Sequence, residues 1–177
     1  MELAYRELRP GRNWPKRVYL SGMLWFVGRA IQAASRVDAR VRREFRALPE
    51  GFTFALSILP GGPHLIVQKQ GADQARYRGW KIEAQPVDLT MTFKHLEAGV
   101  LTFTFRESTP TAFARDRIVV DGEVGYACAI VRVFDIVQVY LLPKPIARLA
   151  VKRYPCWPLG RKLVNRARIY WRSIAGY

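Results

Sequence analysis

From Phe52 to Ile58, and again from Val87 to Phe93, the apolar residues recur at every second position, and the chain between is cut by Pro60-Gly61-Gly62-Pro63, Gly71-Ala72-Asp73 and Pro86. A period of two belongs to strands that bury one face. Phe52, Phe54, Leu56 and Ile58 alternate with Thr53, Ala55 and Ser57 in the first run. The Pro-Gly-Gly-Pro sequence predicts a hairpin that brings residues 64–70 back beside it. Residues 77–84 make a third strand. Val87, Leu89, Met91 and Phe93, alternating with Asp88, Thr90 and Thr92, make a fourth.

The flanks have a helical period instead. From Trp14-Pro15 to about residue 48 there is no further proline, and the only glycines are Gly22 and Gly28. This predicts a long helix broken near a glycine, ended by Pro49-Glu50-Gly51. In its second half Ala30, Ala34, Val37, Val41, Phe45 and Leu48 fall on one side, and Arg29, Arg36, Arg40 and Arg43 on the other. Residues 18–27 are as apolar as a signal-peptide core. The long lead-in, the Ser21-Gly22 interruption and the arginines that follow favour a buried or interfacial helix.

After the fourth strand, residues 94–105 are expected to coil into a helix, and Ser108 to cap a short helix reaching 115. Residues 117–121 form a fifth strand and 123–142 an apolar helix. Pro143 and Pro145 open a further helix that ends near Tyr154, and Pro158 precedes the last one, 159–175.

Charge divides the chain in three. Residues 1–48 carry 11 basic and 4 acidic side chains, residues 49–142 carry 9 and 10, and residues 143–177 carry 9 and none, within a net charge of +15. We therefore expect a basic N-terminal helical extension (1–48), a central domain (49–142) and basic amphipathic C-terminal helices (143–177). Two basic arms around a near-neutral middle point to a polyanionic partner. No apolar run reaches the ~18 residues of a membrane span. Two cysteines, Cys128 and Cys156, are too few for a disulfide framework or a four-ligand zinc site.

Catalytic signatures are scarce. The chain has no Gly-x-Gly-x-x-Gly, no phosphate-binding Gly-x-x-x-x-Gly-Lys and no His-Glu-x-x-His. Its only histidines, His64 and His95, lie at no metal-ligand spacing and are expected to be solvated residues beside turns. Ser57 sits in a strand without a nucleophile elbow. Cys128, in an apolar helix, is expected in the core. Cys156, between Pro155 and Trp157, lacks a neighbouring base. No catalytic residue, metal or cofactor is assigned, and a binding module is favoured over an enzyme.

The segment Val87-Asp88-Leu89-Thr90-Met91-Thr92-Phe93 is followed, after some twenty residues, by Thr111-Ala112-Phe113-Ala114-Arg115-Asp116-Arg117-Ile118-Val119-Val120-Asp121-Gly122-Glu123. This order resembles the sterol carrier protein 2 (SCP2) domain, whose Asp-containing strand precedes two helices, a strand ending in glycine and an amphipathic helix. The resemblance covers residues 50–142. It departs at Asp116, where the family usually has glycine.

The resemblance implies an α+β fold: a five-stranded, mostly antiparallel sheet covered on one face by helices, with a hydrophobic tunnel between them. Such a tunnel takes a sterol, fatty acyl or isoprenoid lipid. Its expected lining is Phe52, Phe54, Leu56, Leu65, Val67, Leu89, Met91, Phe103, Phe113, Ile118, Val120, Ala127, Val131 and Phe134. Some SCP2-like proteins serve as accessory factors in ubiquinone biosynthesis, which would imply protein partners in lipid metabolism.

The last helix adds a separate signal. At about 100° per residue, Leu159, Leu163, Val164, Ala167, Tyr170, Trp171 and Ile174 form an apolar arc. Arg161, Lys162, Arg166, Arg168 and Arg172 form a basic one, with Ile169 alone misplaced among them. Such a helix suits an anionic membrane surface. Lys152, Arg153, Trp157, Arg161, Lys162, Arg166, Arg168, Trp171 and Arg172 are the expected membrane contacts. The expectation is thus a noncatalytic lipid carrier, cytoplasmic and peripherally membrane-associated. Nucleic-acid binding is permitted by the charge, but no helix-turn-helix, zinc knuckle or RNA-recognition strand supports it.

Overall fold

The computed structural model of the protein describes residues 13–81, 86–104, 106–141 and 159–175. The expected helix over 143–154 and Cys156 lie outside them. The elements in chain order are α1 (Trp14–Val37), α2 (Ala39–Arg46), β1 (Thr53–Ile58), β2 (His64–Gln70), β3 (Gln74–Gly79), β4 (Leu89–Phe93), α3 (Leu96–Phe103), α4 (Thr109–Ala114), β5 (Ile118–Asp121), α5 (Val124–Leu141) and α6 (Leu159–Ala175).

The N-terminal helix breaks at Asp38, not at a glycine. Asp38 is extended (φ −109°, ψ 120°), and its side chain accepts the backbone N–H of Arg40, so one carboxylate ends α1 and caps α2. Tyr140 Oη donates to the other oxygen of Asp38 at 2.6 Å, tying the break to α5. Burial, aided by that hydrogen bond, pushes the Tyr140 phenol up to about 12. The anticipated glycine break fails because Gly28 has a packing role. A Cβ there would lie 2.5 Å from Leu65 Cδ1 and from the Tyr77 ring, so its absence lets α1 settle on β2 and β3.

The five strands form one sheet in the order β3-β2-β1-β4-β5. The expectation of a mostly antiparallel sheet is corrected at the centre, where β1 and β4 run parallel and make the sheet mixed. The hairpins β1–β2 and β2–β3 and the outer pair β4–β5 are antiparallel. β3 starts at Gln74, three residues earlier than the alternation suggested, because the left-handed pair Ala72 (φ 63°) and Asp73 (φ 57°) turns the chain at once.

Phe54, Leu56 and Ile58 of β1, Leu65 and Val67 of β2, and Leu89, Met91 and Phe93 of β4 all belong to one buried cluster. Leu20, Leu24 and Ile31 from α1 and Ile130, Val133 and Phe134 from α5 complete it. The Phe54 and Phe134 rings meet edge to face at 6.3 Å. α1 is thus built into the same core as the sheet. By length and composition α5 could cross a bilayer, yet its face Ala127, Ile130, Phe134 and Val137 is buried in this core. On the opposite face of the sheet Ala55 and Ile66 are also fully buried.

Ser108 caps α4 as expected, its Oγ accepting from the Thr111 N–H. Asp116, where the resembled family has glycine, holds φ at 56°. Aspartate tolerates this left-handed conformation better than most side chains, and its carboxylate accepts from Lys94 Nζ. Asp116→Gly should leave the denaturation midpoint nearly unchanged, since an exposed ion pair contributes only ~0–1 kcal/mol. Asp116→Val should cost about 1–2 kcal/mol, because the branched Cβ opposes the left-handed turn. Equal midpoints for the two variants would mean that the turn imposes no such constraint.

Candidate functional site

The β4–β5 ladder pairs Met91 with Val120 and Phe93 with Ile118. Met91, Ile118 and Val120 therefore point to one side of the sheet, while Val119 points to solvent. α4 and α5 stand over that side without closing on it. The space between is a cleft of about 390 Å³, floored by Met91, Ile118 and Val120 and walled by Phe113 and Pro110 of α4 and Ala127 and Val131 of α5. Gly122 (φ 126°) makes the sharp passage from β5 into α5, where a Cβ would lie 2.8 Å from Asp88 O and Leu89 Cδ1.

The chemistry of the cleft is apolar. Among the described residues Thr109 and Arg132 are its only polar lining, and the Arg132 guanidinium is held at the rim by Glu44 of α2 at 2.7 Å. Phe113 and Val124 remain 55% and 67% exposed, which gives the opening an apolar lip. The volume falls toward the lower end of ligand pockets, ~300–1,000 Å³. A second cavity of about 480 Å³ beside Phe52 is lined by Glu50, Asp88, Glu123 and backbone-rich turns, and lacks this apolar character.

Of the fourteen expected tunnel residues, Met91, Phe113, Ile118, Val120, Ala127 and Val131 line the cleft. Phe103 and Phe134 border a separate gap of about 80 Å³ beside α1, and Phe52 the polar cavity. Phe54, Leu56, Leu65, Val67 and Leu89 are buried in the core and line none of these three spaces. Cleft residues that sequence reasoning missed are Thr109, Pro110, Val124, Cys128 and Arg132. Cys128 corrects an expectation outright: it is exposed and faces the cleft. Its signal was the i, i+4, i+7 spacing of Val124, Cys128 and Val131, which marks a second apolar stripe on α5.

His64 is also corrected. It lies within β2, half-buried, with Nδ1 2.8 Å from Ser57 Oγ on the sheet face away from the cleft. His95 is exposed. Among the described residues no group of three His, Cys, Asp or Glu side chains converges as a metal site.

α6 packs on α1 and α5, but not by the anticipated face. Ile169, the residue that the helical arcs left misplaced, is fully buried together with Ser173. Tyr170 stacks near Phe26 at 5.8 Å and donates to Leu141 O at 2.7 Å. Arg166 folds over the Tyr170 ring. Val164, Arg168, Trp171 and Arg172 stay outside, with Trp171 76% exposed. Arg161 and Lys162 begin α6, but their side chains are outside the described set, as are Lys152, Arg153 and Trp157.

One carboxyl on α5 stands out. Burial alone raises Asp135 from 3.8 to about 6. A carboxyl raised on folding favours the protonated native state. Its contribution is complete below pH ~4 and lost as pH rises through about 6. Asp135→Asn should raise the melting temperature at pH 8 and flatten the decline between pH 4 and pH 7. An unchanged slope would show that Asp135 titrates alike in the folded and unfolded chain.

A mixed five-stranded sheet, helices over one face and an open apolar cleft beneath two of them define the α+β fold of this protein. The chain is similar to three solved structures of the SCP2 type. UbiJ-SCP2, a ubiquinone synthesis protein, shares 12% identity at a TM-score of 0.46, over 69% of this chain and 97% of that one. Sterol carrier protein 2 like 2 from Aedes aegypti shares 18% at 0.35, over 56% and 94%. TT1886 from Thermus thermophilus, a conserved hypothetical protein described as a candidate sterol carrier, shares 16% at 0.44, over 73% and 89%. No family model and no curated protein sequence matches the chain.

Proposed function

We propose that the protein is a noncatalytic lipid-binding protein that holds an apolar tail in the cleft between β4–β5 and helices α4 and α5. The observation that carries this reading is the cleft itself, about 390 Å³ of space with an almost wholly apolar lining and an apolar lip. Water in such a space gains few hydrogen bonds, so an acyl, isoprenoid or sterol tail displaces it favourably. Met91 and Phe113 adapt to the tail's shape.

Organic extraction of the purified protein after a high-salt wash, followed by mass spectrometry, should return a defined lipid near one per chain. An empty extract, with no binding of added lipid, would sink the reading. Cys128→Trp should fill the cleft from its α5 wall and lower the affinity for a fluorescent tail probe at least about tenfold, the equivalent of ~1.4 kcal/mol. Its melting temperature should stay near that of the parent, because Cys128 is exposed.

Docking on anionic membrane belongs to the same reading. The outer face of α6 presents Val164 and Trp171 with Arg168 and Arg172, and α1 exposes Trp14, Val18 and Trp25. Indole rings suit the headgroup boundary, and each arginine near an anionic surface contributes about 1 kcal/mol. The variant Trp171→Ala/Arg168→Glu/Arg172→Glu should co-sediment at least about tenfold more weakly with phosphatidylserine-containing vesicles. On pure phosphatidylcholine vesicles the difference should shrink to the small loss expected from the missing indole. Equal binding of both to the anionic vesicles would remove α6 as the docking element.

A further inference from the structure

Two apolar spaces adjoin α5. The cleft is walled by residues of its first half, from Val124 to Arg132. The gap beside α1 is walled by residues of its second half, Phe134, Val137, Gln138 and Leu141. At about 100° per residue, Ala127 of the cleft and Phe134 and Gln138 of the gap fall within about 40° of one another. The two spaces therefore follow one side of the helix in series. Ala127 and Gln138 are about 16 Å apart along its axis.

Where the two spaces approach each other the side chains are aromatic. On α5, Phe134 of the gap follows Val131 of the cleft wall by about 4.5 Å along the axis. On the sheet, Phe93 pairs with Ile118 of the cleft floor, and its ring lies 5.9 Å from that of Phe103, which borders the gap. Phe103 and Phe134 each border empty space, so neither ring is packed on every side and each can turn at little cost. Apart from Gln138 the gap is lined by apolar side chains, with Met23, Phe26 and Val27 closing it from α1. An apolar space of this kind stays dry and takes an apolar guest.

Resting on the reading of the cleft as a lipid site, we infer that the gap is its distal compartment and that the ligand is a long flexible chain whose far end passes between Phe103 and Phe134. A short chain fills the cleft alone. A chain longer than the cleft either leaves its last methylenes in water or buries them among Met23, Val27 and Val137. Each buried methylene tightens binding roughly fourfold. The gap thus sets the tail length that the protein prefers, and Phe103 and Phe134 are the rings that the tail must part to reach it.

The test uses the full chain and three saturated fatty acids, decanoate, tetradecanoate and octadecanoate, titrated below their micellar concentrations. The parent should bind octadecanoate about tenfold or more tighter than tetradecanoate. Val137→Phe puts a ring into the gap and leaves the cleft lining untouched. It should bind decanoate like the parent and lose the preference for octadecanoate over tetradecanoate. Val27→Met fills the gap from α1 and should do the same, and melting curves of both variants would certify the fold. Identical length profiles in the parent and the folded variants would overturn the inference, as would an equal loss of affinity at every length. Failure of all three acids to bind the parent would overturn the cleft reading and this inference with it. Equal affinity of the parent for tetradecanoate and octadecanoate would overturn the inference alone.

Discussion

β1 is buried along its whole length and pairs with β2 on one side and β4 on the other. The second pairing is parallel, and most of the architecture follows from it. Parallel neighbours cannot be joined by a tight turn. The chain must finish the β1–β2–β3 meander and return between Gly79 and Leu89 before it can lay β4 beside β1. Asp88 fastens the arrival: its N–H donates to Thr53 O, and its carboxylate accepts from the Thr53 N–H, both at 2.8 Å. With β4 fixed, β5 pairs outside it, and Met91 and Val120 come to lie side by side under α5.

The cleft is a consequence of how far the helices can follow the sheet. α1 covers β2 and β3 closely, helped by the missing Cβ at Gly28, and α5 meets β1 through the Phe54–Phe134 contact. Towards the β5 edge the cover thins to α4, a helix of six residues whose Phe113 is largely outside. A polar network holds this edge in place. Glu107, almost fully buried, accepts from Arg115 and Arg117 at 2.8 Å each, and so binds the start of α4 to its end and to the approach of β5. Two cations around one buried carboxylate satisfy it without occupying the apolar space beside it.

The two sites proposed for the molecule call on different physics. Tail binding draws on apolar area and needs no directed bond, which is why a lining of Met91, Phe113, Ile118 and Val131 serves without a catalytic group. Docking draws on charge and interfacial aromatics, which the outer faces of α1 and α6 supply. α6 shows how easily these roles are confused: Arg166, an expected membrane contact, folds over the Tyr170 ring, which itself packs beside Phe26 and donates to Leu141 O.

Local signals were legible in the sequence. The period of two located the first and fourth strands, the Pro-Gly-Gly-Pro turn the second, the Ser108 cap located α4, and Pro158 preceded a helix with the bounds Leu159–Ala175. Six of the residues that line the cleft were among those expected, because the resemblance placed Met91, Ile118 and Val120 on strands, Phe113 on the short helix between them and Ala127 and Val131 on the following helix. What the sequence left open depended on partners distant along the chain. Periodicity says that a helix has an apolar side, but only packing decides which side is used. On α6 Ile169 and Ser173 turn inward while Trp171 and Val164 stay out. It likewise cannot separate Cys128 from core positions on an apolar helix, since the wall of a cleft and the wall of a core have the same composition. The parallel register of β1 and β4 and the burial of the Asp135 carboxyl were decided by the tertiary structure alone, because each is defined by what lies opposite it in space.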